Sequence, residues 1–176
     1  MQRHALFLCF LFFFSVIVTA CGVTPNINYL SYQSYPFEAE GVLVYDGTEY
    51  GVTVRAEREG QLTLAFCSPA RIKGLELSLA DGEVSFGYDG RTVTWEDGGY
   101  ALKEGILLSS RLFSISFRSY ASSEVKTVGG VRYQVVRYQV EEGDIAVYFQ
   151  EKLTTPERIE ATLNGHRFEF RFVNEG

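Results

Sequence analysis

The residues able to do chemistry are few. Cys21 follows the small residues Val18, Thr19 and Ala20 and precedes Gly22. A thiol is the best alkyl acceptor among side chains, and small residues before it would admit a peptidase. Beyond the first twenty residues there is one histidine, His166, after the Asn164-Gly165 pair and in phase with Phe168, which points to a structural place at a strand edge. Nucleophilic catalysis needs a base oriented beside the nucleophile, and no GxSxG elbow supplies that setting. GxxxxGK[ST], GxGxxG and HExxH are also missing. Carboxylates close enough to work as an acid–base pair are offered by Glu38/Glu40, Glu141/Glu142/Asp144 and Glu157/Glu160, though such groups serve first as solvated strand edges. Neither a CxxC nor a Cys/His cluster suggests zinc or redox work. Cys67, with Cys9 and Cys21 otherwise assigned, has no disulfide partner; it reads as a small packed residue or, less simply, as a reactive thiol. The expectation is a non-enzyme that holds no metal and no cofactor.

Ahead of Cys21, Arg3 and His4 begin a run that is apolar from Ala5 to Ala20. It is shorter than the about twenty residues of a spanning helix and ends in small residues, as a secretory signal peptide does. Residues 1–20 carry five of the fourteen Phe, one basic residue and no acid, leaving 15 basic and 22 acidic residues, a net charge of −7, from Cys21 onward. Phosphate contacts require a basic surface, so a nucleic-acid partner is not expected. Val18-Thr19-Ala20-Cys21 resembles the lipobox of bacterial lipoproteins. The resemblance implies cleavage before Cys21, acylation of its thiol, and a chain tethered to the cell membrane on its extracytoplasmic side. The domain division expected is a signal peptide over 1–20, a lipidated tether or short helix over 21–36 (Thr24-Pro25 being a possible helix start), and one β domain over 37–176.

From Phe37 on, apolar residues alternate with period two: Tyr50/Val52/Val54, Leu62/Leu64/Phe66, Leu75/Leu77/Leu79, Val84/Phe86/Tyr88 and Phe168/Phe170/Phe172. Such alternation marks strands with one buried and one wet face. Asp46-Gly47, Asp81-Gly82, Asp89-Gly90, Asp97-Gly98 and Asn164-Gly165 are tight-hairpin dipeptides that tolerate positive φ. Together they predict an antiparallel meander. Between Val135 and Val136 the apolar phase flips, which a β-bulge after Val135 would repair; Ile145 to Phe149 is apolar on both faces. Leu102 to Phe117 combines helical spacing (Leu102/Ile106, Leu108/Leu112) with alternation (Phe113/Ile115/Phe117), predicting a helix or helix-like loop across the concave face that then passes into a strand or mobile segment. Arg118 to Gly130, rich in Ser and Gly, is expected to loop. Arg55, Arg58, Arg71 and Lys73 could face anionic headgroups, but Glu57, Glu59 and Glu76 dilute them into a mixed solvated face.

The order of elements resembles the LolA/LolB lipoprotein-carrier superfamily, which includes GerS-like lipoproteins of spore formers. The resemblance rests on Tyr35-Pro36-Phe37-Glu38-Ala39-Glu40, Leu62-Thr63-Leu64-Ala65-Phe66 leading into Ser68-Pro69, Asp81-Gly82, Thr155-Pro156-Glu157-Arg158-Ile159-Glu160 and Phe168-Glu169-Phe170-Arg171-Phe172. It implies a mainly β, α+β domain: a curved antiparallel sheet or half-open β-barrel whose short helices cover an apolar concave face. A hydrophobic ligand or lipoprotein acyl chain would then meet a wall of Leu62, Leu64, Phe66, Leu77, Phe86 and Trp95 beneath a lid of Ile106, Leu108, Leu112 and Phe113. Two alternatives stay open: these residues fill a packed core, or they line a cup. Equally open are a ligand carrier and an interaction scaffold for a partner envelope or spore-cortex protein, with homodimerisation through sheet edges possible in either case.

Overall fold

The computed structural model describes residues 29–94, 100–150 and 154–173. The expected signal peptide, Cys21, the expected helix start at Thr24-Pro25, Trp95 and Asp97-Gly98 lie outside them. Eleven strands form one antiparallel sheet: β1 (Phe37–Tyr45), β2 (Thr48–Ala56), β3 (Gln61–Ser68), β4 (Leu75–Ala80), β5 (Glu83–Tyr88), β6 (Arg91–Thr94), β7 (Tyr120–Val128), β8 (Val131–Val140), β9 (Gly143–Gln150), β10 (Arg158–Leu163) and β11 (His166–Phe172). The strand order is β6-β5-β4-β3-β2-β1-β11-β10-β9-β8-β7. The meander therefore runs outward in two arms from the β1–β11 pair. The sheet curves without closing, the half-open form expected, so it is an open trough and not a closed barrel.

Turn chemistry sets the hairpins. Asp46-Gly47, Asp81-Gly82, Asp89-Gly90 and Asn164-Gly165 all have positive φ at both positions, the twist that matches two-residue hairpins. At Gly143 (φ 148°) a Cβ would collide with the Thr162 carbonyl, because β9 and β10 approach closely there.

The inner face carries the main core. Cross-strand neighbours Val54, Leu64, Leu77 and Phe86 lie in one row, and Val136, Val147, Ile159, Phe170 and Leu43 lie in another. Helix α1 (Tyr100–Arg111) covers part of this face, and its buried Ile106 and Leu108, with Leu112, Phe113 and Ile115 beyond its end, join the same cluster.

The structure corrects four expectations. No bulge follows Val135, since β8 keeps unbroken register with β9 from Tyr133 to Val140. The phase flip instead reflects apolar residues on both faces: Tyr133, Val135, Ala146 and Tyr148 make a second buried cluster on the outer face. There Tyr133 donates to Glu157 (2.7 Å) and Tyr148 to Glu160 (2.7 Å), while the Arg158 guanidinium lies 4.2 Å from the Tyr148 ring centre. The bulges fall elsewhere, between Gly51 and Val52 opposite Cys67, and between Tyr120 and Ser122. Cys67 is exposed, not packed, because alternation with the buried Phe66 turns it to the outer face. Finally, 120–128 is a strand, β7; its polar and serine content reflects an edge exposed along most of its length, and the two glycines form the turn to β8. After α1, Phe113 and Ile115 are buried in a non-strand segment that ends in a 3-10 turn, Phe117–Ser119.

Candidate functional site

Four wall residues expected from the sequence (Leu62, Leu64, Phe66 and Leu77) and four lid residues (Ile106, Leu108, Leu112 and Phe113) belong to one buried cluster. Phe86 is half-buried against it. Alternation explains the wall: side chains at positions two apart on β3 and β4 point to the same face. Helical spacing explains the lid, with Ile106 joined by Leu108 and Leu112 on the inward face. Phe113 is wedged edge-on against Phe170, ring centres 5.0 Å apart, and lies 6.0 Å from Phe37.

The other arm has its own cover, which the lid residues do not include. The segment before β1 contributes Tyr29, 5.4 Å from Phe149, and Tyr32, which meets both Phe149 and Phe172 edge-on at 6.3 and 6.1 Å. The Tyr32 hydroxyl accepts a hydrogen bond from Gln33 Nε2 (2.8 Å), and burial holds its phenol far above the usual range. Burial also pushes the Tyr138 phenol up to about 12, with Tyr120 and Tyr29 adding to the shift. These phenols stay neutral and pack as apolar rings with a polar tip. The density of Tyr and Phe from Tyr29 to Phe37 was the available signal for this second cover.

Where α1 meets the hairpin ends, a groove of about 710 Å³ opens to the surface. Leu79, Leu107 and Leu108 form its apolar side, and Lys103, Glu104, Arg111 and Glu142 its charged rim. Arg111, in the last turn of α1, holds Glu142 at 2.7–2.8 Å and so ties the helix end to the β8–β9 turn. Glu59, Ser110, Ser114 and Asn164 also line it, so the leucines form one apolar strip within a largely polar wall.

The remaining candidates occupy structural places. His166 Nδ1 is 2.7 Å from Asp46 Oδ2 and 3.2 Å from the Tyr45 hydroxyl, joining the β1–β2 turn to β11. Arg55 pairs with Glu38 (3.3 Å) and Arg58 with Asp81 (2.9 Å), so half of the basic cluster is partnered by acid. Glu157 and Glu160 receive the tyrosine hydroxyls of the outer cluster. Among the described residues no three His, Cys, Asp or Glu side chains are grouped to hold a metal ion, and no helix is long and apolar enough to cross a membrane.

No family model and no curated protein sequence matches the chain. Solved structures similar to it include the lipoprotein LppX of Mycobacterium tuberculosis (10% identity, TM-score 0.47, covering 84% of this chain and 92% of that one). A domain described as an outer membrane lipoprotein-sorting protein, from Vibrio parahaemolyticus, gives 9% identity, TM-score 0.41 and coverage of 78% and 83%. A LolA superfamily protein of Nitrosomonas europaea gives 7%, 0.37, and 80% and 84%. At such identities and TM-scores these likenesses assign no ligand.

Proposed function

We propose that this chain is a membrane-anchored lipoprotein, acylated at Cys21, whose trough binds a hydrophobic ligand such as a lipoprotein acyl chain at the α1 groove. The observation that carries this reading is the groove itself: about 710 Å³, floored by Leu79, Leu107 and Leu108 and continuous with the apolar inner face beneath α1. The wall and lid residues share one buried cluster, so a long chain enters by lifting α1 and replacing its packing against β4. Each buried side chain so exchanged is worth about 1.5–3 kcal/mol, which an acyl chain can repay at about 0.8 kcal/mol per methylene. The protein has no catalytic step in this reading.

A fluorescent fatty-acid probe titrated into Cys21→Ser protein tests it. Saturable binding that acyl lipid displaces, weakened at least tenfold by Leu107→Asp, is the expected result. Absence of binding, or binding indifferent to Leu107→Asp, would sink the carrier reading. Anchoring is tested separately: metabolic labelling with a radioactive fatty acid should be lost in Cys21→Ala. The close packing of the inner face favours a second reading, a non-catalytic scaffold for an envelope protein. A pull-down from membranes that returns a stoichiometric protein and no lipid would select it.

A further inference from the structure

Four of the large apolar residues exposed among the described ones gather at one end of the sheet: Phe117 (72% exposed), Tyr120 (40%), Val125 (55%) and Val131 (40%). That end is β7, the terminal strand. Phe117 and Tyr120 stack with ring centres 6.3 Å apart and an interplanar angle of 16°.

The hydrogen-bonding side of β7 follows from its hairpin. Val128 and Val131 flank Gly129-Gly130, both at positive φ (58° and 83°), so they form the narrow pair of a two-residue hairpin. Alternation then directs the backbone groups of Val128, Lys126 and Glu124 at β8 and those of Ser123, Val125 and Thr127 at the open edge. The Gln134 side chain donating to the Glu124 carbonyl (3.3 Å) agrees with that direction.

The geometry points to a homodimer formed by antiparallel pairing of β7 with β7 of a second copy, Val125 facing Val125 across the two-fold axis. In that register Ser123 opposes Thr127, so every pair with free backbone groups bonds. Glu124, whose carboxylate also holds Arg137 of its own chain at 3.0 Å, opposes Lys126 of the other copy, twice per dimer. Moving the axis by one residue sets Glu124 against Glu124, or Lys126 against Lys126, and like charges directly opposite are destabilising. The charge pattern of β7 is thus complementary to itself in one register alone. A single edge lysine usually guards against pairing; here the glutamate two places away cancels the guard. The same register brings the Phe117–Tyr120 pair of each copy alongside the partner's Gly129-Gly130 turn, where no side chain obstructs it. Beyond Ser122 the bulge ends the pairing. One strand pair plus two aromatic contacts falls at the low end of interface sizes, so the dimer exchanges with monomer.

Sedimentation equilibrium of the full chain in detergent over about 1–500 µM tests the proposal. The expected result is a reversible dimer that Val125→Pro abolishes. The Val125 N–H faces the open edge, where proline is tolerated, so the monomer should keep its circular dichroism. Lys126→Glu should raise the dissociation constant about tenfold or more, and Glu124→Lys/Lys126→Glu together should restore it. If Val125→Pro fails to fold, the charge series decides alone. A chain monomeric throughout, or a dimer indifferent to the charge series, overturns the proposal. So does capture of a different protein through this edge without self-association.

Discussion

At the residue scale, the chain uses its polar groups to secure turns and its apolar groups to fill one face. Asp46 illustrates the first use. The Arg167 backbone N–H donating to its carboxylate, and His166 beside it, hold its carboxyl below the usual range. A depressed folded-state pKa contributes stability that is present above the unfolded value, about 3.9, and is lost as pH falls through the folded one. Asp46→Asn should therefore lower the melting temperature at pH 6, and the gap to wild type should shrink as the pH drops below about 4. A gap independent of pH would contradict the assignment. Leu112 illustrates the second use. It is fully buried between α1 and the sheet, so Leu112→Ala should cost about 2–5 kcal/mol in urea unfolding.

At the element scale, the carrier reading requires α1 to move. It covers part of the trough, and Arg111–Glu142 fastens its end. Arg111 is half-exposed, so the pair is worth under about 1 kcal/mol and serves better as a latch than as a brace. Arg111→Ala is expected to leave the unfolding midpoint nearly unchanged while speeding uptake of the fatty-acid probe several-fold in stopped flow. Equal uptake rates would show that α1 does not gate the groove. The elements were legible to different degrees. Period-two strands and Asp-Gly turns declared β1 to β5 and the β10–β11 hairpin, because alternation and positive φ are local properties. β7 was not legible, since an edge strand exposed along most of its length has no apolar row to mark it. The β8 phase flip was visible, but its cause was non-local: the covering residues Glu157 and Arg158 come from a segment about twenty positions away.

At the scale of the whole molecule, chain order and space run in opposite senses. β1 and β11, the first and last strands, pair at the centre, and the two arms end at β6 and β7. Hydrogen exchange should follow that order, slowest in β1, β2, β10 and β11 and fastest in β7. Protection of β7 should rise with protein concentration if the edge pairs with a second copy; equal protection at all concentrations would argue for a free edge. Nine of the wall and lid residues, all but Trp95, lie in or against one buried cluster, because alternation and helical spacing assign faces. Their mutual contact was not readable, nor was the Tyr29–Tyr32 cover.

By itself the sequence determined the faces, the turns, the dominance of β-structure and the scarcity of catalytic groups, all of which depend on residue type and local spacing. Tertiary structure alone decided that the trough stays open, that its interior is occupied by its own lid, that a groove remains beside α1, and that Cys67 and β7 face water. Those outcomes depend on curvature, bulge position and contacts between residues far apart in the chain, and local periodicity carries no information about them.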